Sequence, residues 1–186
     1  MPSLSFEELR VDYELKFEAC QITDVKAVSK VVAKIITNGP FYEEAELQTN
    51  VPWYLIGAIH SKEASCNMSK QIFNGEPWSK RTTLVPKGLG PWKSWLDSTM
   101  MSLNQYKNQN WTLAKCLYFS EKWNGMGYRI KHPEVNSPYL WASTNLYSKG
   151  GYPSDGKFDE NYVAKNPGVG AIIKYISENG ITINKE

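Results

Sequence analysis

The stretch VPWYLIGAIHSKEAS at residues 51–65 carries the period of an α-helix: Leu55, Ile56 and Ile59 form one apolar stripe. Glu63 continues that stripe by helical steps, so the helix ends with a carboxyl group on its inward face. Thr49 and Asn50 offer a cap, and Pro52 falls where proline is tolerated in a first turn. A carboxyl set against apolar surface is penalised for ionising, which keeps a proton available near neutral pH. The alternative is a surface glutamate pairing with Lys62 or Lys70.

Upstream, Phe6, Leu9, Tyr13 and Phe17 recur at helical spacing over 5–19. Thr23 with Asp24 can cap a second helix carrying Val25, Val28, Val31, Val32 and Ile35, which Asn38-Gly39-Pro40 ends. A short helix over about 41–48 follows. Downstream, the prolines and glycines of 73–91 break helical periodicity and leave one strand-like patch at 81–85, read as a small β-hairpin or wing. Helical patterns return over about 92–107, 110–122, 138–148 and 167–179, with turn-rich segments at 123–137 and 149–160. The expected fold class is therefore mainly α, α+β in detail: a helical domain with one minor β element.

A length of 186 residues suits a single domain, with 1–40 as an amino-terminal helical extension packed on it. A net charge of +2, from 21 basic and 19 acidic residues, is too balanced for a nucleic-acid footprint. No run of about 18 apolar residues predicts a membrane span, and no basic region followed by an apolar run predicts a signal peptide. Synthesis in the cytoplasm is expected, with any extracellular target reached by lysis, by another export route or within a particle. Cys20, Cys66 and Cys116 lack metal-ligand or CxxC spacing and read as reduced thiols, and no cofactor or metal site is expected.

Three groups of residues carry candidate chemistry. Glycoside cleavage uses a second carboxylate, about 6.5–9.5 Å from the acid when water attacks directly and about 5 Å when the carboxylate is the nucleophile. Glu76 lies thirteen residues after Glu63 in the turn Asn74-Gly75-Glu76-Pro77 and is either that group or an ordinary turn carboxylate. Thr82 and Thr83 follow, where a hydroxyl can orient water. His60, one turn before Glu63, either bonds substrate or the acid, or is a satisfied core histidine. Finally, Trp123-Asn124-Gly125-Met126-Gly127-Tyr128-Arg129 combines stacking rings, hydrogen-bonding groups and close-approach glycines suited to a polyhydroxylated chain. Glu121 is read as a structural partner of Arg129.

In order, a helix ending in Glu63-Ala64-Ser65, a wing, Trp123-Asn124-Gly125-Met126-Gly127, and Ser137-Pro138-Tyr139 opening a late helix resemble the lysozyme superfamily. The likeness is to phage and bacterial lysozyme-like proteins, goose-type lysozymes and soluble lytic transglycosylases, over roughly residues 50–150. It implies a lysozyme-like fold with the wing beside a catalytic cleft, in which Glu63 is the general acid. It also implies that Trp123 to Gly127 line the cleft and that Tyr139 faces it. Glu76 and Thr82 are similar to the acidic residue and threonine of phage-type lysozymes. The interval from Glu63 to Glu76 is longer here and the residue is Glu, not Asp; the Ser-Gly-Ala and Gly-Leu-Met-Gln patterns of transglycosylases are absent.

The function expected from these residues is hydrolysis of the β-1,4 glycan strand of peptidoglycan by a monomer. Glu63, Glu76 and Thr82 would be catalytic, and His60, Thr83, Trp123, Asn124, Gly125, Tyr128, Arg129 and Tyr139 would bind substrate. A lytic transglycosylase, a chitosanase- or chitinase-like glycosidase, and a noncatalytic cell-wall-binding or virion protein are the alternatives.

Overall fold

The computed structural model describes residues 4–154 and 156–180. Residues 1–3 of the expected extension, Asp155 of the expected turn at 149–160 and the last six residues lie outside the described residues. The protein is mainly helical: nine α-helices and one two-stranded antiparallel sheet among the described residues. These are α1 (Phe6–Ala19), α2 (Val25–Thr37), α3 (Gly39–Thr49), α4 (Trp53–Ala64), α5 (Trp95–Leu103), α6 (Leu113–Asn124), α7 (Gly127–Lys131), α8 (Pro138–Trp141) and α9 (Val169–Glu178). Strands β1 (Gly151–Ser154) and β2 (Lys157–Asp159) form the sheet. The chain makes two compact units, one of Ala33–Trp111 and one of the segments before and after it.

In the discontinuous unit, α1 begins with a capping box in which Ser5 and Glu8 satisfy each other's backbone N–H groups. Its Tyr13 and Phe17 are buried, and α1 packs on α6. Asp24 caps α2 by accepting from the Ala27 N–H at 2.9 Å. Of the expected α2 stripe, Val28, Val32 and Ile35 are buried, while Val25 is exposed. Trp141 and Leu140 of α8 are buried, and α8 packs against α6 and α9.

In the continuous unit, α4 is its most deeply buried helix: every residue from Tyr54 to His60 is buried. It packs against α3, which packs in turn on α5. Gly57 makes the close approach possible, because a Cβ there would lie 2.5 Å from Ile35 Cγ2 and 3.1 Å from the Tyr42 ring.

The expected strand at 81–85 does not form. Thr82 donates its N–H to the Leu89 carbonyl at 2.9 Å and its hydroxyl to the Pro86 carbonyl at 2.6 Å. Its carbonyl and hydroxyl accept from the Gly88 and Leu89 N–H groups. These bonds close 82–89 as a loop, since Pro86 has no N–H to give a ladder. The strands lie instead inside the expected turn at 149–160. The helix expected over 138–148 stops at Trp141, because Ser143 adopts φ 68° and Thr144 forms a β-bridge with Ile22. Conversely, α7 occupies part of the expected turn at 123–137.

Gly57→Ala tests the α3–α4 approach. Overpacking costs about 1–3 kcal/mol against a helix-propensity gain of about 1 kcal/mol. The variant is expected to lose on the order of 1 kcal/mol in urea unfolding. A midpoint equal to or above that of the native protein contradicts this packing.

Candidate active site

Helix α4 ends one residue after Glu63. Ser65 and Cys66 both adopt left-handed backbone, φ 54° and 61°, and turn the chain sharply. The Asn38 amide holds this turn by donating to the Cys66 carbonyl at 2.9 Å. Beyond it, Lys70 and Pro77 form an isolated bridge, and the chain between them folds back toward the helix end. Gly75, at φ 69°, lies against the Glu63 carbonyl so closely that a Cβ at this position would collide with it. The residue following that contact is Glu76, so the turn sets the Glu76 segment beside the carboxyl-bearing end of α4.

Four donors converge on the Glu76 carboxylate. The Thr83 hydroxyl reaches Oε1 at 2.7 Å, and the Thr83 N–H straddles Oε1 and Oε2 at 2.9 and 3.1 Å. The Leu84 N–H and the Asn74 amide reach Oε2, each at 3.0 Å. Hydrogen bonds led by those from Thr83 hold the carboxyl below its ordinary value, so Glu76 is ionised near neutral pH. A carboxylate has about four lone-pair positions, and these donors occupy them all.

The threonine that meets Glu76 is Thr83, in place of the expected Thr82, whose hydroxyl is used within the 82–89 loop. Glu63 itself is half-buried. Beside it, burial pushes the Lys62 ammonium down to about 8, against the pull of the Glu63 carboxylate.

His60 is removed from the ligand-facing set. It is fully buried, Nδ1 lies 2.9 Å from the Tyr42 hydroxyl, and Nε2 lies 3.2 Å from the Lys70 carbonyl. Nε2 therefore holds the turn that brings Lys70 back to α4, while Nδ1 ties the ring to Tyr42 of α3. Burial pushes the imidazole down to about 4 and keeps it neutral. Cys66 is a buried thiol, raised by burial, in keeping with an inert side chain.

In the discontinuous unit, Trp123, Asn124 and Gly125 close α6; Asn124 and Gly125 are exposed, and the half-exposed Trp123 ring packs on Phe119 at 5.5 Å. Arg129 is not open to a ligand in the expected way. Its Nε donates to Glu121 Oε2 at 2.7 Å, a second nitrogen pairs with Asp12 at 2.9 Å, and its guanidinium covers the Tyr13 ring. The Tyr13 hydroxyl also donates to Glu121 Oε2, at 2.6 Å. Glu121 is thus the expected structural carboxylate, 2% exposed and neutralised in place. Tyr128 is likewise buried and packs edge-on to Tyr152 of β1, and Tyr139 is buried on α8.

Asn74 and Gln71 were missed in the sequence. The signal for Asn74 was the Asn-Gly dipeptide, whose side chain bonds its own backbone two residues on. Gln71 carried no such signal, because its role is created by the turn. No group of three or more His, Cys, Asp or Glu residues capable of holding a metal ion occurs among the described residues. No family model, curated protein or solved structure matches the chain.

His60 makes stability depend on pH with a definite sign. Unfolded, the imidazole takes a proton near 6.5; folded, it does so only near 4. Stability is therefore fully present above about 6.5 and falls as pH drops toward about 4, by roughly 3 kcal/mol at about 1.4 kcal/mol per unit. Urea unfolding of the native protein and His60→Asn at pH 7, 5.5 and 4 checks this. The difference between the two should shrink through that window; a constant difference contradicts a neutral, buried His60.

Proposed function

We propose that the protein hydrolyses the glycan strand of peptidoglycan, with Glu63 as the general acid and Glu76 as the carboxylate that activates water. The observation that carries this reading is the seating of Gly75 on the Glu63 carbonyl, which sets an ionised Glu76 beside the end of α4. The lysozyme-like order of Glu63-Ala64-Ser65, Trp123-Asn124-Gly125 and Pro138-Tyr139 supplies the substrate class. A lysozyme-like fold belongs to the same proposal.

The chemistry asks two carboxyl groups to differ in protonation. Glu63 gives its proton to the leaving glycosidic oxygen as the C–O bond breaks. Water attacks the anomeric carbon from the opposite face and passes a proton to Glu76 Oε1 as the Thr83 hydroxyl rotates away. That hydroxyl is the donor on Glu76 that turns aside with the least backbone movement. Inverted configuration at the new reducing end follows.

The filling of every Glu76 acceptor position favours a second reading, in which Glu76 only clasps the loop and the sugar's own hydroxyl attacks, giving an anhydro product.

Glu63→Gln is expected to reduce release of reducing ends from purified cell walls by at least about 100-fold while leaving cooperative unfolding unchanged. Activity within about threefold of native removes Glu63 from the role of acid. Glu76→Gln should fall by a comparable factor if water is activated there, whereas near-native turnover selects the clasp.

A further inference from the structure

Gln71 is fully buried, and its side-chain oxygen has no hydrogen-bond partner. Buried amides are normally satisfied on both sides, so an orphaned carbonyl marks an amide whose direction is dictated by something else. Here the dictating group is Asn74. Gln71 Nε2 donates to Asn74 Oδ1 at 2.8 Å, the same oxygen accepts the Glu76 N–H at 3.1 Å, and Asn74 Nδ2 donates to Glu76 Oε2.

The orientation of this chain admits no alternative. Turning the Gln71 amide over would face its oxygen toward Asn74 Oδ1. Turning Asn74 over as well would aim its oxygen at Glu76 Oε2 and its NH2 at the Glu76 N–H, repulsive at both ends. The backbone repeats the enclosure: the Gln71 N–H donates to the Glu76 carbonyl at 2.9 Å and the Gly75 N–H to the Gln71 carbonyl at 3.2 Å.

We propose that Asn74, held by the buried Gln71, is the positioning residue that aims the Glu76 carboxylate and fixes Oε1 as the oxygen that takes the proton from water. The proposal rests on the reading of Glu76 as the water-activating carboxylate. With Asn74, Thr83 and Leu84 all donating to it, Oε2 is occupied by groups tied to the turn and the backbone. Oε1 shares the Thr83 N–H with Oε2, at 2.9 Å, and its other donor is the rotatable Thr83 hydroxyl. Other charged groups on this part of the chain are Lys62 and Glu63, the latter with its carbonyl against Gly75, Lys70, bridged to Pro77, Lys80, whose N–H donates to the Pro77 carbonyl, Arg81, which donates to the Gly88 carbonyl, and Lys87 in the 82–89 loop.

Asn74→Asp keeps the acceptor for Gln71 and for the Glu76 N–H, loses the donor to Oε2 and adds a like charge beside it, so Asn74→Ser, which removes the donor without adding a charge, is measured in parallel to separate the two. The Glu76 carboxyl is titrated by 13C NMR in the full chain, and the pH profile of turnover is measured beside it. The titration midpoint and the acid limb of kcat should both rise by about one pH unit. In addition, kcat should fall at least about tenfold with KM within about twofold. Gln71→Met should move both in the same direction, and add nothing once Asn74 is Asp.

A native Glu76 midpoint in Asn74→Asp overturns the proposal, as does a shifted midpoint with unchanged kcat. In Asn74→Ser, which keeps a short acceptor, cannot reach Oε2 and adds no charge, the Glu76 midpoint should rise as well; a native midpoint in this variant overturns the proposal even where Asn74→Asp is shifted. Absence of turnover in the native protein defeats the hydrolase reading instead, and the carboxyl titration distinguishes that failure from failure of the Asn74 clamp.

Discussion

The contact between Gly75 and the Glu63 carbonyl governs the region between α4 and α5. A side chain at 75 would push the turn off the helix end, and with it the hydrogen bonds of Gln71, Asn74 and Glu76. The left-handed backbone at Ser65 and Cys66 points the chain toward this contact, and His60, bonded to the Lys70 carbonyl, fixes the returning segment from beneath. Helix, turn and carboxylate are consequently one mechanical unit, in which a buried neutral imidazole and an ionised Glu76 have separate tasks.

The two units handle charge differently. In the discontinuous unit Glu121 is nearly inaccessible, and Tyr13 and Arg129 satisfy it, with Asp12 bonding the other side of the guanidinium. Such a cluster is costly to break and specifies how α1, α6 and α7 meet. In the continuous unit the donors around Glu76 are backbone N–H groups, a hydroxyl and an amide, with no guanidinium or ammonium among them. Neutral donors thus keep this carboxylate ionised without an ion pair.

Much of the helical frame was legible because apolar periodicity records burial directly. Leu55, Ile56 and Ile59 fall on α4, and Val28, Val32 and Ile35 on α2, with Asp24 as the expected cap. The pairing of Glu121 with Arg129 was legible too, from two opposite charges eight residues apart across a glycine turn. What was lost lies where tertiary contacts override local pattern. Thr82 sits in a β-like run, yet Pro86 and Gly88 turn that run into a loop and hand the contact with Glu76 to Thr83. The hairpin was obscured because 149–160 is rich in turn residues, although Asp155-Gly156 between Tyr152 and Phe158 is itself a hairpin signal. His60 illustrates the limit of periodicity: its burial could be guessed, but its two partners come from segments that only the folded chain brings near.

The most direct measurement is the anomeric configuration of the new reducing ends, followed by 1H NMR from the first minutes of digestion of purified peptidoglycan. Water activated by Glu76 while Glu63 protonates the leaving oxygen gives the α anomer first, with mutarotation afterwards. Ends that appear first as the β anomer, or anhydro ends lighter by one water, would contradict the two-carboxylate account.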